Sequence, residues 1–209
     1  MKNVTDRTSN PFGMRPDCAR FVPGYGDANA HFHVIGDHPG VHGGADTGVP
    51  FTNEAGRRLQ AALADAGLLE TTGDEPTVNR TYLSYLHMCV PEADGPTEAD
   101  YTELEPYLDA ELRAIAAHVL VPVGARATAY VLENHTARPV DETLDLETLH
   151  GTELRGAGFL VVPVLDPAEW TDAMYDRLVD GLRELQRTDY RREVDLGRFI
   201  AGDQPYHVR

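Results

Sequence analysis

The stretch His31-Phe32-His33-Val34-Ile35-Gly36-Asp37-His38-Pro39-Gly40 decides the fold. Its first six residues read as a buried strand, and two glycines and a proline then break it into a turn. A glycine-rich loop runs on to Gly48. Residues Thr52 to Ala66 read as a helix, with Thr52 or Asn53 as N-cap and Gly67 as its stop. Leu59, Ala62, Leu63 and Ala66 recur at helical spacing and define its inner face. A buried strand, a turn and an amphipathic helix, in that order, open a parallel α/β sheet.

The same alternation continues outward. Thr81–Leu86 is the second strand, and the loop Pro91–Thr97 leads into a helix from about Glu98 to Ala117. Its apolar stripe is Tyr101, Leu104, Leu108, Leu112 and Ile115, and its acids, among them Asp100, Glu103 and Asp109, form a solvated face. His118–Val123 is the third strand, followed by a helix from Gly124 to about Glu133, and Phe159–Leu165 is the fourth. A last helix, about Ala168 to Thr188, carries Trp170, Met174, Leu178, Leu182 and Leu185 as a packing stripe. The tail from Tyr190 to Arg209 lacks clear periodicity. Arginines gather near it (Arg177, Arg183, Arg187, Arg191, Arg192, Arg198 and Arg209), either as a basic stripe or in ion pairs with Asp180, Glu184 and Glu193. Without repeats or linkers, the chain reads as one domain over 1–209, with a core of about 11–189 and a tail of 190–209.

Composition sets the boundaries. A chain of 209 residues buries a sizeable core in one domain. The formal charge is −16, and Lys2 is the single lysine among eighteen basic residues. Such a charge opposes phosphate binding in dilute buffer. Acid-rich, lysine-poor surfaces also suit molar salt, where the Debye length falls to about 3 Å and self-repulsion is screened. A halophilic origin accounts for the charge, which therefore does not exclude DNA. No run approaches the roughly 18 apolar residues of a membrane span. The opening Met1–Asn10 is polar and lacks the apolar core of a secretory signal, so a cytoplasmic location is expected, with the protein a monomer. Two cysteines, Cys18 and Cys89, suggest a reducing compartment or a remnant metal site.

The landmarks come in a telling order: Gly36-Asp37-His38-Pro39-Gly40; Gly48-Val49-Pro50-Phe51 before a helix beginning Asn53-Glu54-Ala55-Gly56; Met88-Cys89-Val90-Pro91; Val123-Gly124-Ala125-Arg126-Ala127; and Leu165-Asp166-Pro167-Ala168. From about Pro11 to Gln186 this chain resembles the uracil-DNA glycosylase superfamily, nearest to its archaeal and thermophilic iron–sulfur type. There the matching stretches read Gly-Glu-Ala-Pro-Gly, Pro-Phe-Val-Gly-x-Ala-Gly, Lys-Cys-Arg-Pro, Leu-Gly-x-x-Ala and His-Pro-Ser or His-Pro-Ala. The resemblance implies a three-layer αβα sandwich around a central four-stranded parallel sheet, with the site at the carboxyl ends of the strands. It also implies DNA as partner and cleavage of a flipped base from its sugar.

Several positions depart from that pattern. Phe51 matches the aromatic platform that stacks on the base, and Gly36, Pro39 and Gly40 keep the first turn. The asparagine that reads the base edge is Tyr85, which either contacts a base or plugs the pocket. Asp166 stands where the family has histidine, and a carboxylate only accepts hydrogen bonds and repels a uracil anion. His38 stands where one branch has its water-activating acid. His38 and Asp166 are therefore expected to hydrogen-bond across the pocket mouth, with His38 as base; drift in an idle site is the alternative. Asp37 is a further catalytic candidate. The family's acidic pair after Pro-Gly falls near Gly43 and Gly44, leaving Asp46 as the nearest carboxylate, and His42 reads as a solvent-exposed loop residue.

Cys18 and Cys89 match two of the four cluster cysteines, while Phe21 and Leu104 take the other two places. A four-iron cluster needs four thiolates, so no cofactor is expected. Two buried structural thiols are expected instead, with a zinc site completed by His31, His33 or His87 as the lesser alternative. Three functions stay open: base excision with altered base preference, for which a carboxylate facing the base favours an edge bearing N–H; a catalytically inactive paralogue that binds DNA or a nucleobase; and a hydrolase of small nucleoside-like molecules.

Overall fold

In the computed structural model, residues 13–92, 95–136, 145–156 and 158–199 are described. The first strands are β1 (Tyr25–Gly26) and β2 (Phe32–Gly36), followed by a one-turn helix, α1 (Pro39–His42), and by α2 (Glu54–Asp65). Then come β3 (Thr81–Tyr85), α3 (Glu98–Ile115), β4 (Val119–Pro122) and α4 (Ala125–His135). The remaining elements are α5 (Leu146–Leu149), β5 (Leu154–Arg155), β6 (Leu160–Val161), a 3-10 turn at Pro167–Glu169, α6 (Asp172–Arg187) and α7 (Tyr190–Phe199).

The protein is α/β as expected, but the sheet is mixed and six-stranded rather than four-stranded and parallel. Its order is β1-β3-β2-β4-β6-β5. The inner four strands are parallel, and β1 and β5 close the two edges antiparallel to them. Each edge strand is two residues long, too short to carry a periodicity. The fourth expected strand shortens to β6, although Val162 and Val164 still donate to Leu120 and Pro122 carbonyls at 2.9 Å. Pro163 is tolerated between them because alternate residues face β4 and its missing N–H is not called on.

Strand residues alternate between two cores. Phe32, Val34, Val119, Val121 and Val162 pack with Leu59 and Leu63 of α2 and with Leu178 and Leu182 of α6. Ile35, Leu120 and Val161 turn the other way, against Leu108 and Leu112 of α3 and Val131 of α4. Helices thus cover both faces, and the loops that follow the parallel strands gather at one edge.

Local chemistry fixes the helix ends. Asn53 is the N-cap of α2, accepting from Gly56 N–H at 2.8 Å. Thr97 and Asp100 form a reciprocal capping box at the start of α3, which ends at Ala116 in a left-handed conformation (φ 47°). The expected helix over 168–188 divides, because Thr171 caps a new start and Trp170 turns inward to donate from Nε1 to the Leu165 carbonyl at 2.8 Å. The tail contains α7, whose Tyr190 and Val194 join the first core; residues 200–209, Arg209 among them, lie outside those described. Arg177 and Arg183 bond backbone carbonyls of Glu147, Thr148 and Asp65 rather than acids, whereas Arg187 pairs with Glu184 and Arg155 with Glu193.

Candidate active site

The turn after β2 and the turn after β6 meet at the carboxyl edge of the sheet, with β4 between them. Their contact runs through His42, whose Nε2 lies 3.7 Å from Asp166 Oδ2. The residue facing Asp166 is thus His42, one helical turn past the expected His38. His42 is fully buried, not solvent-exposed as the loop reading suggested, because α1 folds the glycine loop inward over β2. Asp166 Oδ1 accepts from Ala168 N–H at 2.9 Å, and its side chain stays 29% exposed. His42 first, and the Ala168 N–H after it, hold the Asp166 carboxyl below the usual carboxylate range, so Asp166 is an anion.

His38 caps α1 instead. Its Nδ1 accepts from Gly40 N–H at 3.1 Å. An imidazole that accepts at Nδ1 carries its proton on Nε2 when neutral, and burial pushes the His38 pKa below its ordinary value against the pull of Asp37. His38 therefore presents an N–H donor, which corrects the expectation of a base paired with Asp166. Asp37 is the adjoining carboxylate, half-buried, and its Oδ1 accepts from the Tyr101 hydroxyl. The Arg126 guanidinium lies 4.3 Å over the Tyr101 ring, with its Nε 3.9 Å from Asp37 Oδ1 and Nη1 2.8 Å from Glu98. His87 is edge-on to Tyr101 at 5.5 Å and bonds the Cys89 carbonyl through Nδ1 at 3.0 Å.

Behind this polar group three rings pack together. Phe51 lies 5.4 Å from His42 and 5.2 Å from Tyr85, and the His42 and Tyr85 rings are stacked at 6.4 Å. Gly36 is needed here, since a Cβ would lie 2.8 Å from ring atoms of both Phe51 and Tyr85. Tyr85 Oη accepts from Phe51 N–H at 2.7 Å and donates to the Gly43 carbonyl at 2.9 Å, so both its hydrogen-bonding roles are filled. Phe51 holds a left-handed backbone (φ 61°), costly for a side chain of its size and kept by the Tyr85 bond and by Gln60, which donates to its carbonyl at 2.8 Å. Of the two readings of Tyr85, the plug fits this geometry. Pro39 is buried beside the stack, Gly40 is exposed, and Asp46 lies exposed on the loop with no hydrogen bond or ion pair among the described residues.

Sequence reading missed Tyr101 and Arg126. Tyr101 passes for a member of the α3 apolar stripe; the available signal was its place in the first turn of a helix that starts at the carboxyl edge. Arg126 occupies the same place on α4.

The cysteine corner is also corrected. Cys18 and Cys89 form a disulfide, with Cα atoms 6.2 Å apart, rather than two free thiols. The cause is local pairing: Phe21 bridges Cys89, Val22 donates to Met88 O at 2.8 Å and Val90 to Arg20 O at 2.9 Å, which lays the two segments side by side. Phe21 and Leu104 pack with Met88 and Cys89. The residues present do not fit an iron–sulfur cluster, and the bridge leaves no thiolate for zinc. It also removes the support that free thiols lent to a reducing compartment.

A sheet with these motifs at its carboxyl edge defines a class, and comparison supplies it: the sequence model of the uracil DNA glycosylase superfamily matches residues 23–178, and the chain belongs to that superfamily. It is 32% identical over 129 residues to the type-5 uracil-DNA glycosylase of Mycobacterium leprae, covering 58% of this chain and 56% of that protein. The type-5 enzyme of Thermus thermophilus is 37% identical over 117 residues (51% and 53%). The type-4 uracil-DNA glycosylase of Saccharolobus solfataricus is 23% identical over 187 residues (87% and 82%). The chain spans about half the length of the type-5 relatives it matches. Among the described residues, no helix is long and apolar enough to cross a membrane.

Proposed function

We propose that this protein acts on DNA as a base-excision N-glycosylase with altered base preference, working as a cytoplasmic monomer in molar salt. The observation that carries the reading is the pairing of an acceptor and a donor at the strand ends: Asp37 has one carboxylate oxygen fixed by Tyr101 and the other without a hydrogen bond among the described residues, and His38 presents Nε2–H. Hydrolysis of an N-glycosidic bond requires both. Asp37 takes a proton from water as the water oxygen bonds to the sugar C1′. The base then leaves as an anion, which His38 stabilises from Nε2–H.

The filled hydrogen bonds of Tyr85 and the packed rings of Phe51 and His42 argue against uracil being read at the inner position. They also support a second reading, a paralogue that binds DNA or a nucleobase without cutting. One experiment separates the two. Duplexes carrying uracil, hypoxanthine or an oxidised or alkylated base are incubated in molar potassium chloride and assayed for abasic sites and for retarded complexes. Abasic sites that disappear in Asp37→Asn support the enzyme; complexes without cleavage of any duplex overturn it in favour of the binder.

A further inference from the structure

The His42–Asp166 couple takes no part in the proposed hydrolysis. His42 is fully buried, yet neither of its ring nitrogens has a hydrogen-bond partner among the described residues. Buried polar atoms are rarely left so, and each one calls for a ligand or another compensating group. At 3.7 Å the Asp166 contact is too long for a direct hydrogen bond. Asp166 spends one oxygen on its own turn, and the other, Oδ2, faces His42 at the partly exposed mouth of the cleft.

We infer that Asp166 is the specificity-determining residue for the base, with His42 as its positioning residue, and that the base recognised is one bearing an exocyclic amino group, of the cytosine or adenine class. The inference deepens the base-excision reading and rests on it only for the final cut. With Tyr85 occupying the inner position, recognition shifts outward to the carboxylate. An ionised carboxylate accepts from an amino N–H and repels the carbonyl oxygen that uracil or hypoxanthine offers at the same place. An imidazole nitrogen that carries a proton donates, so His42 steadies Oδ2 from inside the cleft. His42 is in turn fixed by its stack on Tyr85 and by Phe51.

The test is binding of free cytosine, adenine, uracil and hypoxanthine in molar potassium chloride, followed by saturation-transfer NMR, alongside abasic-site formation on duplexes with amino-bearing and keto lesions. Wild type is expected to favour the amino bases by roughly tenfold or more, the discrimination of one hydrogen bond to a charged group. Asp166→Asn keeps the acceptor that caps Ala168 and turns the facing atom into a donor, so its preference is expected to reverse toward keto bases. His42→Gln, which retains polar atoms, is expected to keep part of the preference, and His42→Phe to lose it. Equal binding of all four bases by wild type, or an unchanged preference in Asp166→Asn, overturns the inference whatever the cleavage result. Amino-base binding that reverses in Asp166→Asn without abasic sites upholds it and sinks the excision reading instead.

Discussion

Two corners of this molecule depart from the motifs that the superfamily resemblance implies, and they are built in opposite ways. At the cysteine corner, Phe21 and Leu104 pack with Met88 and Cys89, and Cys18 and Cys89 are bonded to each other. The corner is apolar and serves as a brace. At the strand ends, by contrast, polar groups gather: His38 offers a donor, Asp166 an anion, and Tyr101 and Arg126 surround Asp37. A site drifting without demand would be expected to fill with apolar residues, and the groups at the strand ends are polar instead.

The largest expected effect breaks the brace. The bridge closes a loop with a sequence separation of 71. Chain-entropy reasoning gives such a loop about 4 kcal/mol of stabilisation. Cys18→Ser/Cys89→Ser should therefore lose about that much in denaturant unfolding in molar potassium chloride. Below its unfolding range the double variant should retain nucleic-acid binding. A loss of binding while the fold persists would show the corners coupled through the His87–Cys89 hydrogen bond, and the contrast between them would fail.

Next in size is a control outside both corners. Glu111 of α3 is buried, accepts from the Tyr82 hydroxyl at 3.0 Å, and burial pushes its pKa up to about 7. An acid raised in the folded state contributes stability that is complete below its unfolded value near 4.5 and is lost as pH rises through about 7. Stability should fall by up to about 3 kcal/mol across that window, and Glu111→Gln should flatten the curve. With that dependence removed, a pH effect left on binding does not come from Glu111. A sloping curve in the variant would assign the slope elsewhere.

Tyr85→Phe probes the plug and should cost about 2 kcal/mol, since it leaves the Phe51 N–H and the Gly43 carbonyl without their buried partner. Thermal unfolding at several pH values measures it. A neutral substitution would mean that Tyr85 is free to move and that the inner pocket opens, which would weaken the case for recognition at Asp166.

The parts that were legible in sequence are those with long or repeated signals. β2, β3 and β4 are apolar runs between turn residues, and α3 and α6 show helical stripes, so their places were readable to within a few residues. The edge strands were not, because two residues carry no pattern, and α7 was missed because its buried contacts, Tyr190 and Val194, are too sparse to form a stripe. At the site, Asp37, His38, Phe51, Tyr85 and Asp166 were all readable from their motifs. Their pairing was not. Whether His38 or His42 meets Asp166 depends on the one-turn helix α1, and four residues do not declare a helix in sequence.

The smallest effect tests whether the polar corner is organised for work or merely polar. Tyr101→Phe removes the hydroxyl bonded to Asp37 and leaves the ring on which Arg126 stacks. Tyr101 sits at a partly exposed position, so stability should change by no more than about 1 kcal/mol. If Asp37 takes the proton from water, loss of the hydrogen bond frees its orientation. The rate of abasic-site formation should then fall several-fold through kcat, with KM little changed. A rate that stays at the wild-type value would return Asp37 and Tyr101 to scaffolding.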